Sequence, residues 1–177
     1  IVLSKIDSSS TLSSLTINQS ADTTFAGIIL GHGKIIKSGT GDLTLSGANT
    51  YIGGTVINAG SVILGAAGVL ADTGHVQLAN TSGAILDLNG NNETIGALTG
   101  GGTTGCNVVM GSGNLTVNVV QTRHHGHAST FAGTITGSGN FAVTVTGSLS
   151  LNNSVNDWSG TTTINKSNKS SLKLLSE

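Results

Sequence analysis

Short alternating segments recur about every ten residues along this chain, separated by glycine-rich turns. Asp42-Leu-Thr-Leu-Ser46 sets the pattern: Leu43 and Leu45 point one way, and Asp42, Thr44 and Ser46 the other. The same alternation appears in Ser61-Val-Ile-Leu64, His75-Val-Gln-Leu78, Ala84-Ile-Leu-Asp-Leu-Asn89, Asn114-Leu-Thr-Val-Asn118 and Ala142-Val-Thr-Val-Thr146. Gly-Thr-Gly, Gly-Ala-Asn, Asn-Gly-Asn and Gly-Ser-Gly stand between such runs, and these residue types turn a chain sharply. No segment has helical periodicity. Strands this short do not make a stable hairpin each. They must pair in an antiparallel sandwich or stack, each on its copy one turn later, in a coil.

A long internal repeat favours the coil. Thr24-Phe-Ala-Gly-Ile-Ile-Leu-Gly-His-Gly-Lys34 matches Thr130-Phe-Ala-Gly-Thr-Ile-Thr-Gly-Ser-Gly-Asn140. Phe25, Gly27, Leu43 and Leu45 correspond to Phe131, Gly133, Leu149 and Leu151 at an offset of 106 residues. Tyr51, Gly53, Thr55, Ile57 and Asn58 correspond to Trp158, Gly160, Thr162, Ile164 and Asn165 at an offset of 107, which places a one-residue insertion in a turn between the two groups. Gly39, Gly41, Gly47, Asn49, Gly54 and Gly60 complete the motif of the first copy. The copies run over about 24–64 and 130–175, with spacer coils over 65–129. The chain holds no proline, which would remove a donor from a strand ladder. The expectation is an all-β fold: one parallel β-helix over 1–177, with about eight coils of roughly 20–25 residues stacked at about 4.8 Å.

Composition narrows function. An apolar fraction of 37 %, a mean hydropathy of +0.21 and a net charge of −1 argue against disorder. The 7 Lys and Arg residues form no stripe, which argues against nucleic acid. A lone Cys106 forms no internal disulfide. No apolar run approaches the roughly 18 residues of a membrane-spanning helix. Ile1 to Ser10 lacks the basic start and apolar core of a signal peptide, so if the protein is exported its leader is expected outside this chain.

The 8 acidic residues are scattered singly, and no enzyme is expected. Asp87 and Glu93 come nearest to a carboxyl pair of the kind glycoside hydrolysis uses. They flank Asn89-Gly-Asn-Asn92 and read as turn residues. The same stretch lacks the twelve-residue frame of an EF-hand Ca²⁺ loop. His124, His125 and His127 are the one candidate metal cluster. No Asp, Glu or Cys lies beside them, so they read better as a solvated loop between coils. No cofactor is expected.

The stretch Lys37-Ser-Gly-Thr-Gly-Asp-Leu-Thr-Leu-Ser-Gly-Ala-Asn-Thr-Tyr-Ile-Gly-Gly-Thr-Val-Ile-Asn-Ala-Gly60 closely resembles the passenger-associated transport repeat of bacterial autotransporters. Leu64 to Val117 resembles the spacer that follows such a repeat. The second copy departs from the pattern: Lys-Ser-Gly becomes Val143-Thr-Val145, and the Asn-Thr-Tyr corner becomes Asn156-Asp-Trp158. The resemblance implies a right-handed helix in a secreted passenger held at the bacterial cell surface. The translocator barrel and signal peptide would then lie outside this chain. It also implies a structural or adhesive stalk whose coil-by-coil folding assists export. Its partners would be neighbouring coils of a longer passenger or end-to-end copies, with a host-surface ligand, no nucleic acid and no membrane insertion. A self-assembling filament or sheath subunit is the alternative. An ice-binding solenoid is a third reading, weakened because Thr161-Thr162-Thr163, Thr134 and Thr136 do not recur at a constant coil spacing.

Overall fold

The computed structural model describes residues 1–3, 13–102, 104–119, 129–145, 148–153, 155–166 and 171–174. Every strand pairing among them is parallel, and no helix occurs among them. The chain is a β-solenoid with three faces. Sheet I stacks Ser14–Asn18, Lys34–Ser38, Thr55–Ile57, His75–Leu78, Ala97–Gly100, Ser129–Phe131, Ser148–Leu151 and Ser171–Leu174. Sheet II stacks Thr23–Phe25, Leu43–Leu45, Ser61–Leu64, Ala84–Asp87, Cys106–Gly111, Thr134–Gly137 and Asp157–Trp158. The third face carries two sheets. Sheet III stacks Glu93–Ile95, Leu115–Val119, Phe141–Val145 and Thr162–Lys166; sheet IV stacks Val2–Leu3, Leu30–Gly31 and Thr50–Tyr51. The eight rungs of sheet I mark about seven turns, one fewer than the roughly eight coils expected.

Register gives the coil length. Ile35 stands beside Thr55, Thr55 beside Val76, and Val76 beside Leu98, so successive coils take 20, 21 and 22 residues. The coil from Gly100 to Phe131 takes 31 and contains residues 120–128. From Ser129 to Leu149 the length returns to 20.

Alternation places the core. Leu43, Val62, Leu86, Val108 and Ile135 form one inward column of sheet II, each in register with the next. All five are buried. Ile95, Val117 and Val143 form the matching column of sheet III. Burying each such side chain contributes about 1.5–3 kcal/mol. The outward partners, Thr44, Ile63, Asp87 and Thr136 among them, are half-buried in lateral contact with their own neighbours.

The two copies of the long repeat enter this prism one face apart. Leu43 and Leu45 lie in sheet II, whereas Leu149 and Leu151 lie in sheet I. Tyr51 is in sheet IV and Trp158 in sheet II; Thr55 and Ile57 are in sheet I, and Thr162 and Ile164 in sheet III. The repeat interval therefore spans four coils and two faces rather than a whole number of coils. Each face asks for the same things, an alternating strand and a small-residue corner, so the same sequence serves on any of them.

Candidate functional site

The third face is interrupted, and the polar residues that close the gap form the most elaborate side-chain cluster among the described residues. Sheet IV ends at Thr50–Tyr51 and sheet III begins at Glu93–Ile95, while residues 65–74 pass between them without a strand. The sequence there, Gly65-Ala-Ala-Gly-Val-Leu-Ala-Asp-Thr-Gly74, explains why. Val69 and Leu70 are consecutive and both buried, whereas a strand would turn one of them outward.

Side chains take over from the ladder. The Asn49 amide nitrogen donates to the Val69 carbonyl at 2.9 Å and to the Gly47 carbonyl at 2.8 Å. Its Oδ1 accepts the Ile29 N–H of the preceding coil at 2.8 Å, and its own backbone N–H donates to the Val69 carbonyl at 3.1 Å. From the following coil, Glu93 Oε2 accepts the Val69 and Leu70 N–H groups at 2.9 and 3.2 Å. Its Oε1 accepts the Thr94 N–H at 3.0 Å. Beside them Tyr51 is buried, its hydroxyl 2.5 Å from Thr55 Oγ1.

Burial sets the electrostatics of this cluster. It pushes the Tyr51 phenol up to about 12; the Thr55 hydrogen bond opposes the shift and the Glu93 charge adds to it. It likewise holds the Glu93 carboxyl above the usual carboxylate range, against the three backbone amides, with the Asp72 charge adding to the rise. Both Glu93 oxygens accept backbone N–H groups. Such an arrangement fixes chain position.

A second buried polar group sits at the neighbouring corner. Lys37 occupies an inward position between coils, beside Ile57 in the ladder. Its ammonium donates to the carbonyls of Ser38, Gly39 and Ala59 at 3.1, 2.9 and 3.1 Å. Gly60 makes room for it, because a Cβ there would meet Lys37 Nζ and the carbonyls of Gly39 and Gly41. Burial pulls the Lys37 pKa down, and the charges of Asp42 and Asp22 partly offset this.

The second copy keeps the hydrogen-bond pattern on its own face. Asn156 Oδ1 accepts the Ile135 N–H of the preceding coil at 2.8 Å, as Asn49 does for Ile29. Trp158 Nε1 donates to Thr162 Oγ1 at 2.9 Å, as the Tyr51 hydroxyl pairs with Thr55. Phe25 and Phe131 each fold over the glycine two residues on, Gly27 and Gly133. Asn58 lies exposed at a corner, its amide 3.5 Å from Ser38 Oγ, and Asn165 is exposed on sheet III.

The carboxyl pair read from the sequence comes apart. Asp87 faces outward and its Oδ1 accepts the Asn89 N–H at 2.7 Å, closing a turn in which Asn89 has φ of 51°. Glu93, read from sequence as a turn residue, instead opens a strand and is buried. The two carboxylates therefore serve different coils' backbone and do not converge. His124, His125 and His127 lie outside the described residues. Sequence reasoning missed the buried roles of Lys37 and Glu93. The signal for Lys37 was present, since Ile35-Ile-Lys37 puts the lysine in phase with an inward isoleucine.

Comparison with known proteins bears on what such a cluster belongs to. The passenger-associated-transport-repeat family matches residues 35–64 and 146–166. Over 152 residues the chain is 38% identical to the adhesin BmaC autotransporter of Brucella suis biovar 1 (strain 1330). The chain is an autotransporter passenger segment. The match covers 85% of the passenger segment and 4% of that relative, so the segment spans only a small part of the curated protein it resembles. No solved structure matches it. The two family matches contain Lys37, Asn49, Tyr51 and Thr55 in the first copy, and Asn156, Trp158 and Thr162 in the second. The corner asparagine and the aromatic–threonine pair of the passenger segment are thus internal to its repeats.

Proposed function

We propose that this passenger segment is a non-enzymatic stretch of the surface-exposed stalk of a bacterial adhesin, and that its coil-by-coil folding outside the cell assists export. One observation carries the reading: among the described residues, each rung is paired only with the rungs directly before and after it. A coil can therefore fold as soon as one neighbour exists, without waiting for distant chain. Growth of that kind on the far side of a pore opposes backsliding, because each added coil buries its own inward column. The adhesin description of the relative from Brucella suis supports an adhesive passenger. The axial partners of the segment are then the neighbouring coils of the same passenger.

The test is surface display of the full passenger in a bacterial host. Leu43→Asp and Ile57→Asp place a charge at fully inward positions of sheets II and I. Both are expected to slow the appearance of passenger at the surface. Thr44→Asp, on the outward side of the same rung, is expected to leave the rate near wild type. Equal display rates for all three variants would overturn the export role.

A further inference from the structure

We propose that residues 65–74 form a local opening unit, a flap on the third face that is clasped by Glu93 and swings away while sheets I and II stay paired. The flap begins directly after Ser61–Leu64 and ends directly before His75–Leu78, both of which are held in their own ladders. Opening it therefore breaks no rung. It breaks the Val69 and Leu70 N–H bonds to Glu93, the Gly68 N–H bond to the Asn92 carbonyl at 3.2 Å, and the two Asn49 donations to Val69. The Gly65 N–H bond to the Leu45 carbonyl at 2.7 Å and the Gly96 N–H bond to the Gly74 carbonyl at 2.8 Å hold its two ends. Only Val69 and Leu70 leave the core as large apolar groups. Elsewhere on this face the adjoining rungs hold each other by continuous ladders such as Leu115 to Val119 on Phe141 to Val145. Free energies of local opening are lowest where buried apolar contacts are few and ladder bonds are absent. Residues 66–73, between those two ends, combine both conditions.

The clasp gives the flap a pH dependence. Asp72 on the flap and Tyr51 on the preceding coil are the titratable groups coupled to Glu93. With the flap closed, burial holds the Glu93 pKa above its ordinary value, whereas with the flap open the carboxyl returns toward it. The closed form thus binds the proton more tightly. Closure is favoured as pH falls through the raised value toward the ordinary one, and above the raised value the cost of a buried charge is fully present.

Hydrogen exchange on the 177-residue chain tests this. In the wild type, the Val69 and Leu70 amides are expected to exchange at least about tenfold faster than those of Val62 and Leu86, and to gain protection as pH falls, after correction for intrinsic exchange. Glu93→Ala is expected to speed exchange at residues 68–70 by about ten- to a hundredfold, leaving Val62 and Leu86 unchanged. Glu93→Gln, which keeps the shape, is expected to abolish the excess pH dependence at those amides. Wild-type protection at Val69 and Leu70 equal to that of the flanking rungs would overturn the proposal. So would a uniform change at all amides in Glu93→Ala. Should Glu93→Ala not fold, a pH dependence that survives in Glu93→Gln would overturn it equally.

Discussion

Tyr51 is the single tyrosine of the chain, so its ionisation can be read directly by ultraviolet absorbance. Its folded pKa of about 12 stands against an ordinary value of 10.0. A phenol raised in the folded state contributes stability that is fully present below the ordinary value and is lost as pH rises through the folded one. Two units correspond to roughly 3 kcal/mol. The expected outcome is phenolate absorbance that appears only near pH 12, together with loss of β-sheet circular dichroism. Phenolate formation near 10 in a chain that keeps its circular dichroism would contradict the burial of this ring. Asn49 invites a second measurement. Asn49→Ala strands the Ile29 N–H and the Gly47 carbonyl inside the protein, at an expected cost of about 2–4 kcal/mol in urea unfolding. Asn156→Ala removes the equivalent acceptor at a half-buried corner and should cost about 1 kcal/mol. At this scale the sequence was partly readable. Leu43, Leu45, Val76 and Leu78 disclosed their orientation by alternation. Asn49 and Glu93 did not, because a polar residue beside glycines looks the same whether it faces water or satisfies a buried carbonyl. What distinguishes them is the next coil, about twenty residues away in the chain.

Between residue and whole chain stands the corner. Gly33 and Gly53 stack at one corner of the first copy, and Gly139 and Gly160 at the equivalent corner of the second, one face along. A methyl group on Gly53 would run into the backbone of Gly33, and one on Gly160 into the carbonyl of Gly139. Side-chain ladders run beside such corners. Asn92, Asn114 and Asn140 each accept, through Oδ1, the backbone N–H at the same corner of the following coil, at 2.9, 2.8 and 2.8 Å. Asp22 and Asp42 do the same for Asp42 and Ser61 at 2.8 and 2.9 Å. The turn is thus tied between coils where the backbone ladder stops. Gly53→Ala and Gly139→Ala should each lower stability by about 1–3 kcal/mol, because a close-packed backbone contact has no room to give. Gly83→Ala meets no atom within 4 Å, yet its φ of +88° penalises any side chain, and about 1 kcal/mol is expected. Urea midpoints for the three variants would test the order; a larger loss at Gly83 would show that conformation, not contact, limits these corners. The sequence marked the corners clearly through their glycines. It could not mark their face, since the repeat interval does not correspond to a whole number of coils, and only the register reveals the offset.

Across the whole molecule, a solenoid whose rungs meet only their neighbours has no obligation to melt as one unit. The chain provides a reporter in each copy. Tyr51 is buried, with rungs of the third face or its flap on both sides. Trp158, the single tryptophan, lies in the last described rung of sheet II, and among the described residues Asp157–Trp158 pairs with Thr134–Gly137 alone. Its ring rests against Phe141, with centroids 5.1 Å apart, and is half-buried. The nearby Ile164 is 40% exposed although it points along an inward column. Local stability should therefore fall from the Tyr51 coils toward the Trp158 coils. In urea, the Trp158 emission of the 177-residue chain should shift at a lower concentration than the second-derivative absorbance of Tyr51. The far-UV circular dichroism should span both transitions. Shortening of the gap after Asn156→Ala is not expected, since that change weakens the Trp158 side further; Asn49→Ala should narrow it by weakening the Tyr51 side. Superimposable curves with one common slope for both reporters would mean that the coils are coupled strongly enough to unfold as a single cooperative unit.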